Sequence, residues 1–173
     1  GSIANSSGIT NNGTFNISNT SGTTITTLSG TGTIFLGAQQ LSFTNASGIY
    51  SGSINGTGSL TLNQGSQTLL GVSNFSGGVT LKPGTTLSIN SGQAVGTGNI
   101  SLVGSNTTAA TLNILSNTTI NNQIKVSGDP VFNIASGTVY TQTGIISDGI
   151  SSRDVVITGG GTLALTAPNT YTG

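Results

Sequence analysis

The residues best suited to chemistry are two carboxylates that flank a cation. Asp148 and Asp154 stand six residues apart on either side of Arg153, and the only other acidic residue is Asp129. A glycoside hydrolase needs two carboxyl groups that face one cleft with separated pKa values. The simpler interpretation of this segment is a solvated loop between two repeats, with at most a weak surface ion pair. We therefore expect no catalysis here.

Other reactive residue types are missing from the chain. It contains no His and no Cys, which excludes Ser-His-Asp and Cys-His catalysis and zinc sites of the His/Cys type. Calcium-binding nonapeptide repeats need an Asp in every copy, and three Asp in the whole chain are too few for such repeats. The strings Gly56-x-Gly58 and Gly96-x-Gly98 lack the third glycine and the following helix of a dinucleotide-binding motif. The sequence predicts a protein that is not an enzyme and holds no cofactor and no metal.

The composition is unusual because almost every residue is uncharged. Charged residues make up 3% of the chain and the net charge is zero, whereas about 25% is typical of soluble domains. Without clustered Lys and Arg, nucleic acid is excluded as a partner. Disordered chains combine high net charge with few β-branched residues, so this chain is expected to be ordered. No stretch approaches the ~20 apolar residues of a membrane span, so we expect no membrane insertion.

Short apolar pairs recur at a nearly fixed interval. The first series steps by about 20 residues, within the window of repeat architectures, and consists of Leu41-x-Phe43, Leu60-x-Leu62, Val79-x-Leu81, Ile100-x-Leu102 and then Ile120. A second series interleaves with it: Leu69-Leu70, Leu87-x-Ile89, Leu112-x-Ile114, Val131-x-x-Ile134 and Val155-x-Ile157. Two offset series imply at least two strands in each repeat, with alternate side chains pointing inward.

A glycine-rich signature precedes several of these strands. A Gly turn followed by a short alternating strand occurs at 30–36, 56–62, 96–102 and 159–165, and glycine supplies the positive φ of a tight corner. An aromatic-Ser/Thr-Gly triplet starts at Tyr50, Phe75 and Tyr171. No apolar stripe of helical spacing is present. A β-sandwich is the main rival fold, but the fixed period favours a parallel β-helix of roughly eight turns, on the order of 40 Å long.

One segment resembles a known family. Residues 159–173, GGGTLALTAPNTYTG, resemble the passenger-associated β-strand repeat of bacterial autotransporters, and residues 60–89 resemble a degraded copy, with a weaker one beginning at Tyr50. The resemblance implies a right-handed parallel β-helix from a Gram-negative cell-surface or secreted protein, translocated through a C-terminal outer-membrane β-barrel elsewhere in the parent chain. Since the family holds adhesins, toxins and enzymes, the fold does not set the role.

We expect residues 1–173 to form a single β-helical segment of a longer passenger, with Gly1 and Ser2 a cloning scar. Its open ends should either associate with other copies or be covered by an improvised cap, for which Gly1 to Asn12 is the candidate. The predicted function is a non-enzymatic stalk that contributes to adhesion or presents other passenger parts, with a host receptor or glycan as candidate partner and end-to-end self-association expected.

Two alternatives remain open at this stage. A glycan-binding or polysaccharide-active module is disfavoured by the residues that the chain lacks, and the aromatic residues are interpreted as core stacks or corner plugs rather than a glycan platform. An ice-binding solenoid would need ranks of Thr-x-Thr, and the pairs at Thr24, Thr31, Thr141 and Thr170 do not recur at the repeat interval.

Overall fold

The chain winds into a parallel β-solenoid of about eight turns, with successive turns about 20 residues apart. The structure is a computed structural model that describes residues 7–105, 107–149 and 154–172. Each complete turn visits three faces in the same order. Every strand pairing in the described residues is parallel, which confirms the predicted β-helix over the sandwich. No helix in this part of the chain is long and apolar enough to cross a membrane.

The strands of each face follow in chain order. Face 1 contains β1 (Ile9–Thr10), β4 (Leu28–Ser29), β7 (Ile49–Tyr50), β10 (Ser66–Leu69), β12 (Thr86–Ile89), β14 (Thr111–Ile114), β17 (Val131–Ile134) and β20 (Val156–Gly159). Face 2 contains β2 (Thr14–Asn16), β5 (Thr33–Gly37), β8 (Ser53–Gly56), β15 (Thr118–Ile120), β18 (Val139–Gln142) and β21 (Thr162–Leu165). Face 3 contains β3 (Thr23–Ile25), β6 (Gln40–Phe43), β9 (Ser59–Leu62), β11 (Val79–Leu81), β13 (Ile100–Val103), β16 (Ile124–Ser127) and β19 (Ile146–Asp148).

The core consists of columns of apolar side chains stacked turn over turn. On face 3, Leu41, Leu60, Val79, Ile100, Ile124 and Ile146 stand in register, and all are buried. The first predicted series is therefore confirmed from Leu41 to Ile100. Its last member is wrong, because Ile100 pairs with Ile124 and Ile120 belongs to β15 on face 2. The turn after Ile100 is longer than its predecessors and carries the chain past the expected position.

The second predicted series forms the core columns of face 1. Leu87, Leu112, Phe132 and Ile157 stand in register, as do Leu69, Ile89, Ile114 and Ile134. The prediction placed Val131 and Val155 in the column of Leu112, which instead continues through Phe132 and Ile157, one and two residues further along the chain. Val155 lies just before β20 and packs against the core, partly buried. Val131 pairs with Thr111 and Val156 on the outward side of the strand alternation. A shift of one residue exchanges the two sides of a strand.

The predicted Gly corners are confirmed at the backbone level. The first glycine of each copy has a positive φ: Gly30 (106°), Gly56 (127°), Gly96 (64°) and Gly159 (83°). The strands that follow lie on different faces, β5 and β21 on face 2 and β9 and β13 on face 3. One sequence signature therefore serves two different corners of the solenoid.

The aromatic residues serve the core, as predicted. Phe43, Tyr50, Phe75, Phe132 and Tyr140 are fully buried, whereas Phe35 is 44% exposed. The proposed cap is wrong in part, because Ile9 and Thr10 pair with Leu28 and Ser29 as the first strand of the stack. The cloning scar and the first half of the cap, residues 1–6, lie outside the described residues.

Candidate functional site

The carboxylates singled out in the sequence occupy two different environments. Asp148 ends β19 and pairs with Val126, in a column that continues through Leu102 and Leu81. Its Oδ2 accepts hydrogen bonds from the backbone N–H of Thr172 (3.1 Å) and from the hydroxyl of Thr172 (2.7 Å). Asp148 therefore belongs to a strand, and its assignment to a solvated loop was wrong.

Asp154 is exposed at the C-terminal end of the stack. It lies beside an open depression lined by apolar side chains that include Ile157, Leu163 and Leu165. Arg153 lies outside the described residues, so the expected ion pair is not assessed by this structure. In the ranges that the structure covers, no group of three or more His, Cys, Asp or Glu side chains could hold a metal ion.

The threonine pairs do not form one rank. Thr24 and Thr26 lie in or beside β3, Thr31 and Thr33 lead into β5, Thr141 and Thr143 lie in or beside β18, and Thr170 and Thr172 follow β21. They are thus distributed over face 3, face 2 and the final corner. Stacked threonines on one flat surface are not found among these pairs.

The clearest concave site lies on face 2, where the strand ladder is interrupted. Turn 4 crosses this face without a strand, and turn 5 crosses it as a 3-10 helix at Gly92–Val95. Strand β8 lies on one side of the interruption and β15 on the other. Glycine favours such breaks, because it adds conformational freedom and no side chain to pack. Gly71 precedes the irregular segment in turn 4, and Gly92 and Gly96 bracket that in turn 5.

The resulting face-2 groove has a volume of about 390 Å³ and is lined by residues of turns 4, 5 and 6. The lining includes Ser73, Asn74, Gln93, Thr97, Thr119 and Asn121. None of the described residues that line it is charged. Binding sites for small ligands typically have volumes of about 300–1,000 Å³. The groove is therefore a ligand-sized, neutral concavity lined mainly by Ser, Thr, Asn, Gln and Gly, which contribute carbon surface as well as hydrogen-bonding groups.

Hydrogen bonds fix the backbone of the groove. The N–H of Ser73 donates to the carbonyl of Gln93 (2.9 Å), and the Ser73 hydroxyl accepts from the N–H of Ile54 (3.1 Å). The buried amide of Asn122 donates to the carbonyls of Gly96 (3.1 Å) and Gly98 (2.6 Å). Turns 3 to 6 are thus tied together around the concavity, which makes its shape a fixed property of the fold.

Several polar side chains at the groove have no partner within the described chain. The side chains of Asn74 and Gln93 are exposed and make no hydrogen bond to a described residue. Asn121 uses only its Oδ1, which accepts from the hydroxyl of Thr143 (2.5 Å), so its amide N–H groups remain available. An amide side chain offers both donors and acceptors. A second depression on the same face, of about 480 Å³, shares Thr119 with the groove and continues it toward β18.

The sequence analysis missed this groove because it lacks the periodicity that identified the strands. Residues 71–78 and 90–98 are the places where the regular apolar alternation fails while glycine stays frequent. That failure of the pattern was the available signal. Comparison of the chain with family models, with curated proteins and with solved structures yields no match.

Proposed function

We propose that this chain is a stalk segment of a bacterial autotransporter passenger, secreted or displayed on the outer face of the outer membrane. It acts without catalysis, as a rigid spacer that contributes to adhesion or presents other parts of the passenger. The observation that supports this proposal is the single core of buried apolar side chains that runs through the turns of the solenoid. A stack in which each turn contacts its neighbours resists bending and extends in proportion to its number of turns.

The sequence also supports the assignment to an autotransporter passenger. The GGGTLALTAPNTYTG segment resembles the passenger-associated repeat, and Gly159 in it has the positive φ that its corner requires. The strands of the degraded copy do not occupy the same faces of the solenoid as those of the clear copy. Strand β10 of the degraded copy lies on face 1, whereas β21 of the clear copy lies on face 2. The aromatic triplet at Tyr50 leads into face 2, whereas the triplet at Phe75 leads into face 3.

Surface display is tested on intact cells of the bacterium that produces the protein. Antibodies raised against the folded 173-residue chain are expected to label intact cells, and externally added protease is expected to remove the label. Labelling that appears only after the cells are permeabilised would contradict the proposal.

The absence of catalysis has its own test. The chain is incubated with a panel of polysaccharides, and no release of reducing sugar is expected. Release that disappears in Asp148→Ala or Asp154→Ala would show that the carboxylates act in catalysis. Replacement of the exposed Gln64 by Ala serves as a control that leaves both carboxylates in place.

A further inference from the structure

We propose that the face-2 groove is a binding site for an uncharged oligosaccharide. The proposal does not depend on the stalk function, since it rests only on the shape and the chemistry of the groove.

The polar groups at the groove match the hydroxyl groups of sugars. A sugar hydroxyl both donates and accepts hydrogen bonds, and side-chain amides and hydroxyls do the same. Asn74, Gln93 and Asn121 bring amides from three successive turns to one concavity, and Thr97 and Thr119 add hydroxyls. Adjacent turns of the solenoid are about 4.8 Å apart. The three amides therefore offer several points of contact rather than a single one.

The charge and the apolar surface of the groove limit the class of ligand that can bind there. In the part of the chain that the structure describes, no residue that lines the groove carries a charge to pair with a carboxylate, a sulfate or a phosphate. Val72 is 62% exposed at the groove and offers an apolar contact for the C–H face of a sugar ring. A peptide would require apolar cavities for its side chains, and Val72 is the only large apolar side chain among the described residues that line the groove. These features favour a neutral glycan over an anionic one and over a peptide.

The extent of the site favours an oligosaccharide over a single sugar. The groove and the neighbouring depression meet at Thr119, and the combined surface runs from turn 4 to Val139 and Thr141 in turn 7. The second depression is also lined by uncharged residues, among them Ser91 and Asn117. A chain of sugar units laid along the solenoid axis would meet the same chemistry at each turn.

The first experiment applies the intact 173-residue chain to a printed array of neutral, sialylated and sulfated oligosaccharides. Binding to neutral members is expected. Binding to none of the neutral members, or a preference for sialylated or sulfated ones, would overturn the proposal.

The second experiment locates the site by calorimetric titration with the neutral oligosaccharide that binds best. The double variant Asn74→Ala/Gln93→Ala should weaken binding about tenfold, because two neutral hydrogen bonds are lost. The matched control is Gln64→Ala/Gln123→Ala, which removes two exposed amides outside the groove and should bind like the wild type. Equal affinity of the groove variant and the wild type would overturn the proposal.

A third variant blocks the site sterically. Thr119→Trp places a large ring where the two depressions meet, on an exposed strand position that tolerates aromatic residues, and it should abolish binding at an unchanged melting temperature. Unimpaired binding by Thr119→Trp would contradict the location. If this variant does not fold, the amide variants decide the question alone, since their side chains make no hydrogen bond to a described residue. Surface labelling of intact cells is independent of these results, so the two proposals fail separately.

Discussion

Two tyrosine hydroxyls lie inside the solenoid and link its turns by hydrogen bonds. The Tyr140 hydroxyl donates to Oε1 of Gln142, whose amide donates to the carbonyls of Asn122 and Gly144 (both 2.8 Å). The Tyr50 hydroxyl donates to the carbonyl of Gly32 (2.6 Å). Burial raises the pKa of Tyr140 far above its usual value of 10, and it also raises the pKa of Tyr50, against a smaller opposing effect of the Asn11 amide.

These shifts predict how stability depends on pH. The folded state holds the tyrosine protons to higher pH than the unfolded state does, so the free energy of unfolding should be constant below about pH 10 and fall above it. Denaturant titrations from pH 7 to pH 11 measure this dependence. Tyr140→Phe should lower stability at pH 7 by about 1–3 kcal/mol, because Gln142 Oε1 loses its donor, and should make the decline above pH 10 shallower. An equally steep decline in the variant would contradict the assignment.

At the scale of the strand, alternation between core and surface makes a sharp prediction. Leu102 is fully buried between Leu81 and Val126 on face 3. Leu102→Asp places a carboxylate in this apolar column, which should cost several kcal/mol and unfold the neighbouring turns. The melting temperature and the circular dichroism spectrum measure the effect.

The neighbouring residue provides the matched control. Ser101→Asp puts the same charge on the outward side of the strand, opposite Lys125 of the next turn, where it should change stability by less than about 1 kcal/mol. Similar melting temperatures for the Ser101 and Leu102 variants would show that the inward and outward sides are wrongly assigned.

The repeat interval and the apolar alternation were sufficient to predict β6, β9, β11 and β13 on face 3 and β10, β12, β14, β17 and β20 on face 1, because each turn must bury the same kind of side chain at the same place. The prediction failed where the turn length changed. Ile120 was assigned by counting, but the longer turn after Ile100 brings Ile124 into register instead. The strands of face 2 were harder to predict from the sequence, because turn 4 crosses this face as irregular chain and turn 5 crosses it as a 3-10 helix.

The buried polar residues of the solenoid could not be predicted from the sequence pattern either. Gln67 is fully buried. The residue that precedes it in the same column, one turn earlier, is Gly48. Because Gly48 has no side chain, the Gln67 amide can reach past it and donate to the carbonyl of Leu28 (3.0 Å), two turns away. Asp148 likewise occupies a core column, and its Oδ2 accepts hydrogen bonds from both the backbone N–H and the hydroxyl of Thr172 from the following turn. Both placements depend on neighbours about 20 to 40 residues away in the sequence, and local patterns do not encode them.

At the scale of the whole molecule, the C-terminal end of the described stack exposes apolar side chains. Ile157 is 54% exposed, Leu165 40% and Val156 37%, although Ile157 continues the column of Phe132 and Leu112. The outer edges of β20 and β21 pair with no further strand in the described residues. Open strand edges recruit other strands, and a net charge of zero provides no repulsion between copies.

We therefore expect the chain to self-associate end to end at high concentration. Such contacts join two different surfaces and grow into open chains rather than closed dimers. Sedimentation velocity over a wide range of concentrations should show a continuous series of larger species, which Ile157→Lys should suppress. The matched control is Val72→Lys, which puts the same charge at an exposed residue away from the ends and should leave association unchanged. A strict monomer at every concentration would contradict the open-edge argument.

The central claim is that the chain is a rigid stack of turns, and distances along one face test it most directly. Because the chain has no Cys, spin labels can be attached at introduced cysteines. Thr24 and Lys125 occupy one outward column of face 3, five turns apart, which predicts a separation of about 24 Å at ~4.8 Å per turn. Thr68 and Thr158 occupy an outward column of face 1, four turns apart, which predicts about 19 Å.

Double electron–electron resonance on the two doubly labelled chains, Thr24→Cys/Lys125→Cys and Thr68→Cys/Thr158→Cys, measures both separations. The account predicts two narrow distributions whose centres differ by about 5 Å, one turn of the solenoid. Broad distributions, or centres that do not follow the number of intervening turns, would contradict it.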